Sequence, residues 1–349
     1  MDDVWREQDT TPTRIETALR KMFVSRFKEE RAYVPARVLN MVVIVDADFR
    51  GEIENRLRRV GRYHPSRLII CGVESGRTKL DAWAQIGTED APKAGTIAIG
   101  RERVELLMGE KHIPKLDTIV DPLVISDLAT MVWSPHGYPE AIDVLRRLAQ
   151  IALIDSLDEP DVESALARAT DLTGDTYVVD LAWLRSTPWR ERVAATFDSP
   201  QRRPELRAIS GLTIRHREDS LASALLYTGW LGSRLDWKPG ALHHARGQWV
   251  VHSTTRRHDI KITLDPVEQN APGLAGITID LASGVAMSLD RSPGGLRAAR
   301  RERDGTERAW TVMGASRGEA GILGEGVRQA LLRDPTYRPA LAQARQMVT

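Results

Sequence analysis

Apolar positions along this chain change their rhythm near its middle. An opening helix is predicted around Ile15, Ala18, Leu19 and Met22, followed by Arg37 to Asp46, where an almost unbroken Val and Ile run predicts a strand covered on both faces. Glu52 to Val60 places Ile53, Leu57 and Val60 on one helical stripe, and Arg67 to Val73 supplies a second apolar strand, completing a βαβ unit. Lys79 to Gly87 and Gly95 to Gly100 read as further strands and Arg101 to Met108 as a helix, while Ile119 to Ile125 is apolar without a clear period. The alternation then resumes, with strands at Thr130 to Trp133, Ala152 to Asp155 and Tyr177 to Asp180 and helices at Pro139 to Gln150 and Asp161 to Ala169.

Beyond the polar, proline-bearing stretch DSPQRRPEL, Asp198 to Leu206, the pattern differs. Leu206 to Arg215 suggests a strand and Ser220 to Leu235 a helix with Leu221, Leu225 and Leu235 near one face. From Gln248 to Ala299 short period-two segments separated by Pro and Gly suggest an antiparallel meander. Ser316 three residues before Glu319 is a capping-box signal for a helix through Leu323, Val327, Ala330 and Leu331, and a last helix follows Pro335. The expected fold is α/β: a Rossmann-like, mostly parallel sheet with flanking helices over residues 1–200, then an α+β domain with an antiparallel meander over 201–349.

Length supports two domains, since 349 residues exceed what one core usually holds. Charge narrows the function. The 49 Lys plus Arg nearly cancel the 48 Asp plus Glu, so a net charge of +1 offers no field for a nucleic acid or an acidic membrane surface. No apolar run approaches the roughly 20 residues that span a bilayer, and the opening Met-Asp-Asp lacks the blocks of a secretory signal. With Cys71 the single cysteine, no internal disulfide can form, and a cytoplasmic setting is expected.

Catalytic chemistry is thinly signalled. Asp46, Asp155 and Asp180 follow predicted strands, where an open parallel sheet binds ligands, and His136 lies in the loop after another strand. These define a candidate ligand crevice for an enzyme or a sugar-phosphate or nucleotide sensor, although aspartates at such points ordinarily cap the next helix. The first βα turn, Asp46-Ala47-Asp48-Phe49-Arg50-Gly51, replaces the glycine fingerprint with carboxylates that repel phosphate, so no dinucleotide cofactor is expected. Ser134 and His136 stand two apart in a proline turn without a nucleophile elbow, and His243, His244, His252 and His258 match no zinc spacing. Neither a catalytic nor a metal site follows.

The most informative segment is DLAWLRSTPWRERVAATFD, Asp180 to Asp198. Thr187 can cap a helix that Pro188 opens and Trp189, Val193, Ala194 and Phe197 continue, and Trp183, Arg185, Trp189 and Arg190 gather around its start. Tryptophan and arginine dominate binding hot spots, so these four are candidate partner-binding residues. An arginine-rich hairpin between Asp290 and Arg308, with Arg297, Arg300 and Arg301, could add a peripheral contact. Trp230 and Trp237 read as core.

Taken in order, RVLNMVVIV from Arg37, RYHPSRLIIC from Arg62, MVWSPHG from Met131, DLAWLRSTPWRE from Asp180, LLYTGWLGSRLDW from Leu225 and DPTYRPAL from Asp334 resemble the glucose-6-phosphate dehydrogenase assembly protein family, the OpcA type. The resemblance spans both expected domains. It implies a cytosolic, non-catalytic protein without a cofactor that binds glucose-6-phosphate dehydrogenase and promotes its active oligomer in the oxidative pentose phosphate pathway. The family positions here, Trp183, Arg185, Thr187, Pro188, Trp189 and Arg190, carry an interaction or structural role. Cyanobacterial relatives are linked to thiol control, which a chain with only Cys71 cannot exert through an internal disulfide.

Overall fold

A computed structural model describes residues 3–29, 37–61, 66–88, 100–313 and 318–349. Residues 62–65 of the second motif, the start of the strand expected at Gly95 to Gly100 and the Ser316 cap lie outside the described residues. The chain divides into two compact units that exchange segments: Met1–Ile154 with Gly174–Val179 and Leu323–Leu332, and Asp155–Thr173 with Asp180–Ile322 and Arg333–Thr349. No single peptide position separates them, and the break after residue 200 stands as a proposal about where an independently folding piece begins.

In the first unit, β1 (Asp3–Glu7), β2 (Leu39–Asp46), β3 (Ser66–Val73), β4 (Asp81–Thr88), β5 (Gly100–Met108), β6 (Thr130–Trp133), β7 (Ile151–Ile154) and β8 (Tyr177–Asp180) make one sheet in the order β1-β4-β5-β3-β2-β6-β7-β8. The pairs β5 with β3, β3 with β2, β2 with β6 and β6 with β7 are parallel, whereas β1 and β4 run antiparallel at one edge. Helices α1 (Pro12–Glu29), α2 (Arg50–Gly61), α3 (Leu116–Val120) and α4 (Pro139–Leu145) connect them. The apolar run of β2 is buried throughout except for Asp46, as a two-sided strand requires. Its one buried polar residue, Asn40, is matched on both ends: the amide donates to the carbonyls of Ile125 and Leu128, and Oδ1 accepts the N–H of Ile125 at 2.9 Å.

Arg101 to Met108 is a strand, which corrects the expected helix. Its Glu, Arg, Leu and Met are good helix formers, yet Val104, Leu106 and Met108 are buried while Arg103, Glu105 and Leu107 are less so, and pairing with β3 and β4 decides the outcome. The ambiguous segment is helical at α3 and ends in a short 3-10 turn over Asp121–Leu123. The helix from Pro139 stops at Leu145, earlier than its pattern suggested.

The second unit contains α5 (Val162–Leu172), α6 (Leu181–Arg185), α7 (Thr187–Phe197) and α8 (Leu221–Leu235). Its sheet is built from β9 (Ile209–Arg217), β10 (Leu242–Ala245), β11 (Gln248–Thr254), β12 (Asp259–Val267), β13 (Leu274–Leu281), β14 (Ala286–Ser292), β15 (Gly295–Arg301) and β16 (Glu307–Met313). α9 (Gly318–Leu332), shared with the first unit by residue, and α10 (Tyr337–Val348) follow. The strand order is β10-β11-β12-β9-β13-β14-β15-β16, and β9 inserts parallel to β12 between otherwise antiparallel neighbours. One face, with Leu212, Ile214, Ile262, Leu264, Ile277 and Ile279, is buried, and α8 packs on it. α8 meets α10 at Gly229, where a Cβ would come within 2.1 Å of the Ala340 carbonyl oxygen. Trp237 is buried and Trp230 half-buried, against Tyr227.

Candidate functional site

The tryptophan–arginine segment turns inward within the second unit. Asp180 caps α6, accepting from the Ala182 N–H at 2.9 Å, and also takes the Ser156 hydroxyl at 2.6 Å and the Tyr337 hydroxyl at 3.1 Å. Burial, then the neighbouring Asp155 charge, push its carboxyl up to about 6 against these bonds. Arg185 lies at the end of α6, 7% exposed, and its guanidinium is clamped by Asp155 at 2.8 and 2.6 Å and by Glu319 at 3.1 and 2.7 Å. Burial works against this cation, but the two carboxylates outweigh it and hold its pKa above the ordinary value.

Arg190, one turn into α7, lies 3.4 Å from the centre of the Trp183 ring and donates to Thr187 Oγ1 at 2.9 Å and Ser186 Oγ at 3.1 Å. Burial lowers its pKa to about 10, with Asp334 at 3.6 Å the principal opposing charge. Trp183 in turn donates its indole N–H to Asp334 at 3.0 Å. The cap of α7 is Ser186, not Thr187, and it forms no capping bond because its hydroxyl donates to the Trp183 carbonyl instead. Pro188 is the second helical residue, one position later than expected but still in the first turn, where its missing N–H costs nothing.

Trp183, Arg185, Trp189 and Arg190 are therefore interior residues, each less than 9% exposed. Of the interaction and structural roles open to them, burial supports the structural one. What they brace is the exposed side of α7, where Glu191, Arg192, Ala194 and Ala195 face solvent. Beside it lies a small cleft of about 60 Å³ lined by Pro188, Trp189, Pro272, Arg291 and Glu319 among others. Asp334, Glu319 and Arg291 carry this arrangement unforeseen; their signal was a set of charges far along the chain whose partners only folding reveals.

The arginines of β15 separate from this group. Arg300 faces the buried side and pairs with Glu205 at 3.0 and 2.9 Å and Glu302 at 2.8 Å. Arg297 and Arg301 point to the other face of the sheet, where Arg297 is 61% exposed.

The four crevice residues divide between the units. Asp155 and Asp180 belong to the network above. Asp46 and His136 belong to the first unit, at the carboxyl ends of adjacent β2 and β6, where the strand order reverses. Asp46 caps the turn Ala47–Phe49 by accepting the Asp48 N–H at 2.8 Å. His136 stacks on Phe49 with ring centres 4.6 Å apart and has Glu52 at 3.7 Å. Its loop is tightly wound: His136, Gly137 and Tyr138 all have positive φ, at 58°, 111° and 56°. Burial, then Asp46, Glu110 and Glu140, raise the Tyr138 pKa. This switch point is acidic and carries an aromatic stack where a dinucleotide fold places glycines, a setting that disfavours pyrophosphate.

Cys71 is fully buried in β3, and burial pushes its thiol up to about 12. His243 and His244 lie on β10 and His252 on β11; His258, in the turn before β12, bonds the Ile209 carbonyl at 2.6 Å. No described helix is long and apolar enough to cross a membrane.

Comparison with known proteins places this architecture. Residues 57–171 match the glucose-6-phosphate dehydrogenase subunit N-terminal domain and residues 176–341 the C-terminal domain of the same subunit. An OpcA protein of Synechococcus elongatus, whose name assigns it provisionally to the OxPP cycle, is 27% identical over 66% of this chain and 54% of its own length. Its namesake in Nostoc punctiforme is 31% identical over 60% of this chain and 46% of its own. The chain thus spans about half the length of these relatives. Among solved structures, the transcriptional regulator Gal80p of Kluyveromyces lactis is similar with a TM-score of 0.46 at 7% identity, covering 90% of this chain and 89% of that one. With two domain profiles of one family matched in order along the sequence, the chain belongs to the glucose-6-phosphate dehydrogenase assembly protein family, the OpcA type.

Proposed function

We propose that this chain is a cytoplasmic, non-catalytic partner of glucose-6-phosphate dehydrogenase that favours the enzyme's active oligomer in the oxidative pentose phosphate pathway. The observation that carries this reading is the pair of profile matches, both described as domains of a glucose-6-phosphate dehydrogenase subunit. An effector of this kind acts by binding the assembled enzyme more tightly than the unassembled one. A tenfold shift needs only about 1.4 kcal/mol of such preference. No cofactor and no nucleic acid enter the reading.

The exposed side of α7 is the proposed contact. Trp189 and Arg190 hold the helix in place from beneath, while Glu191 and Arg192 present the charges a partner would meet. Mixing the chain with the dehydrogenase of the same cell and measuring complex mass and specific activity tests partner, stoichiometry and effect together. A rise in both supports the reading; separate masses and unchanged activity refute it. Glu191→Arg with Arg192→Glu, both on the surface, should weaken the complex at least tenfold without altering the fold, and unchanged binding would move the contact elsewhere.

A small-molecule role would fall to the switch point of the first unit. Calorimetry with glucose 6-phosphate, NADP and ATP against the isolated chain tests it, and the acidic setting of Asp46 leads us to expect no heat from any of them.

A further inference from the structure

The open face of the second sheet carries an ordered charge pattern. Alternation along each strand places three rows of side chains there, across seven strands from β11 to β16. The middle row is small: Val250, Thr263, Thr213, Thr278, Ser288, Ala299 and Ala309 lie side by side in register. Next to it runs a charged row in which Asp265 pairs in register with Arg215, Arg215 with Gly276, Gly276 with Asp290 and Asp290 with Arg297.

About Gly276 this row is antisymmetric. One strand to either side stand Arg215 and Asp290, and two strands to either side stand Asp265 and Arg297. Rotating a second copy by half a turn about an axis along β13 lays Arg215 over Asp290 and Asp265 over Arg297, twice each. Every charge of the row then meets its opposite. A row whose charges reverse under the two-fold operation is self-complementary, as an isologous contact between two copies requires.

The row is also flat and held in place. Arg215 reaches Asp290 at 2.7 Å and Thr278 at 3.1 Å by lying across Gly276, where a Cβ would come within 2.3 Å of the Asp290 carboxylate and 2.6 Å of the Arg215 guanidinium. Gln248 fixes Asp265 with a 2.7 Å bond from its amide. Prearranged side chains lose little freedom on binding. The same rotation sets Lys261 of the third row opposite Arg301 and Asp280 opposite its own copy, so this row opposes the contact unless water separates it, and it is placed at a hydrated rim.

We propose that a second copy of this chain covers this face, sheet against sheet, with the axis near Gly276. Seven strands about 4.8 Å apart and five residues about 3.3 Å apart make a patch of roughly 34 by 17 Å, on the order of 600 Å² per copy. About 1,200 Å² in total is the lower end of specific interfaces, and the small middle row lets facing sheets approach to about 10 Å. The proposal does not rest on the dehydrogenase reading, since α7 lies against the opposite, apolar face near Ile277, Ile279 and Leu289.

Sedimentation velocity of the full chain alone, from about 0.1 to 100 µM, is the test. The wild type should form dimers in that range. Asp265→Arg and Arg297→Asp, which each set like charges against one another twice, should raise the dimer Kd about tenfold or more, and combining them should bring it back to within about threefold of wild type. Circular dichroism confirms that the surface variants fold. A wild type that stays monomeric, a dimer indifferent to both single variants, or a double variant no better than the singles overturns the proposal. Variants that weaken dehydrogenase binding while the chain alone is monomeric would give this face to the enzyme and equally overturn it.

Discussion

Both sheets of this protein have eight strands, and they distribute polarity in opposite ways. In the first, the central strands β2 and β6 are buried on both sides, and there the carboxyl ends of the strands are where chemistry can be displayed. In the second, one face is apolar and covered by helices while the other is a lattice of threonines, serines and paired charges. A two-sided sheet offers its rim to small molecules. A one-sided sheet offers a plane, and a plane suits another protein. Here the rim is acidic and carries the Phe49–His136 stack, while the plane is orderly and open.

The sharpest way to break this contrast is through the charged core of the second unit. Arg185→Met leaves Asp155 buried without its cation and should destabilise the protein by about 3–5 kcal/mol in urea unfolding. A loss below about 1 kcal/mol would show that Arg185 contributes little to holding α6.

Asp180 gives a pH signature of the same core. Its carboxyl is raised from 3.8 to about 6, so the folded state holds the proton more tightly than the unfolded chain. The stabilisation from that proton is complete below the ordinary value and lost as pH rises through about 6. Between pH 4 and 7 the wild type should therefore lose stability relative to Asp180→Asn, whose dependence on pH should be flatter; parallel curves would contradict the assignment.

The two sheets can be compared by matched swaps. Val43→Thr places a hydroxyl without a partner in the two-sided sheet and should cost about 1–3 kcal/mol. Thr213→Val on the open face should change monomer stability by no more than about 0.5 kcal/mol. Equal costs would mean that the open face is not open. Smallest of all, Cys71 should show no reaction with an aromatic disulfide reagent until denaturant is added, because burial suppresses its thiolate.

Much of this contrast is legible in the sequence, because burial leaves its mark on neighbouring residues. Unbroken Val and Ile in β2, against alternation in β12 and β13, distinguish two-sided from one-sided strands before any coordinates. β5 escapes because local propensity and tertiary pairing disagree, and pairing wins. The tryptophan–arginine cluster has the composition of a surface hot spot. Its burial depends on Asp155, Glu319 and Asp334, which stand 30, 134 and 151 residues from the groups they bind. A charge with an interior partner and a charge facing water look alike along a chain. For the same reason the antisymmetry about Gly276 is invisible until strand order is known, since its four charges come from β12, β9, β14 and β15.

The interleaving of the two units also governs how the molecule is born. Leu323–Leu332 belongs with a unit whose other segments end at Val179, so a ribosome must read on through Leu332 before the first unit has all its parts. The amino-terminal segments of the first unit wait for a piece made only after the Asp180–Ile322 stretch of the second. Completion of the first unit is thus tied to synthesis of most of the second, and a chain stopped before Leu323 would leave the first unit unfinished.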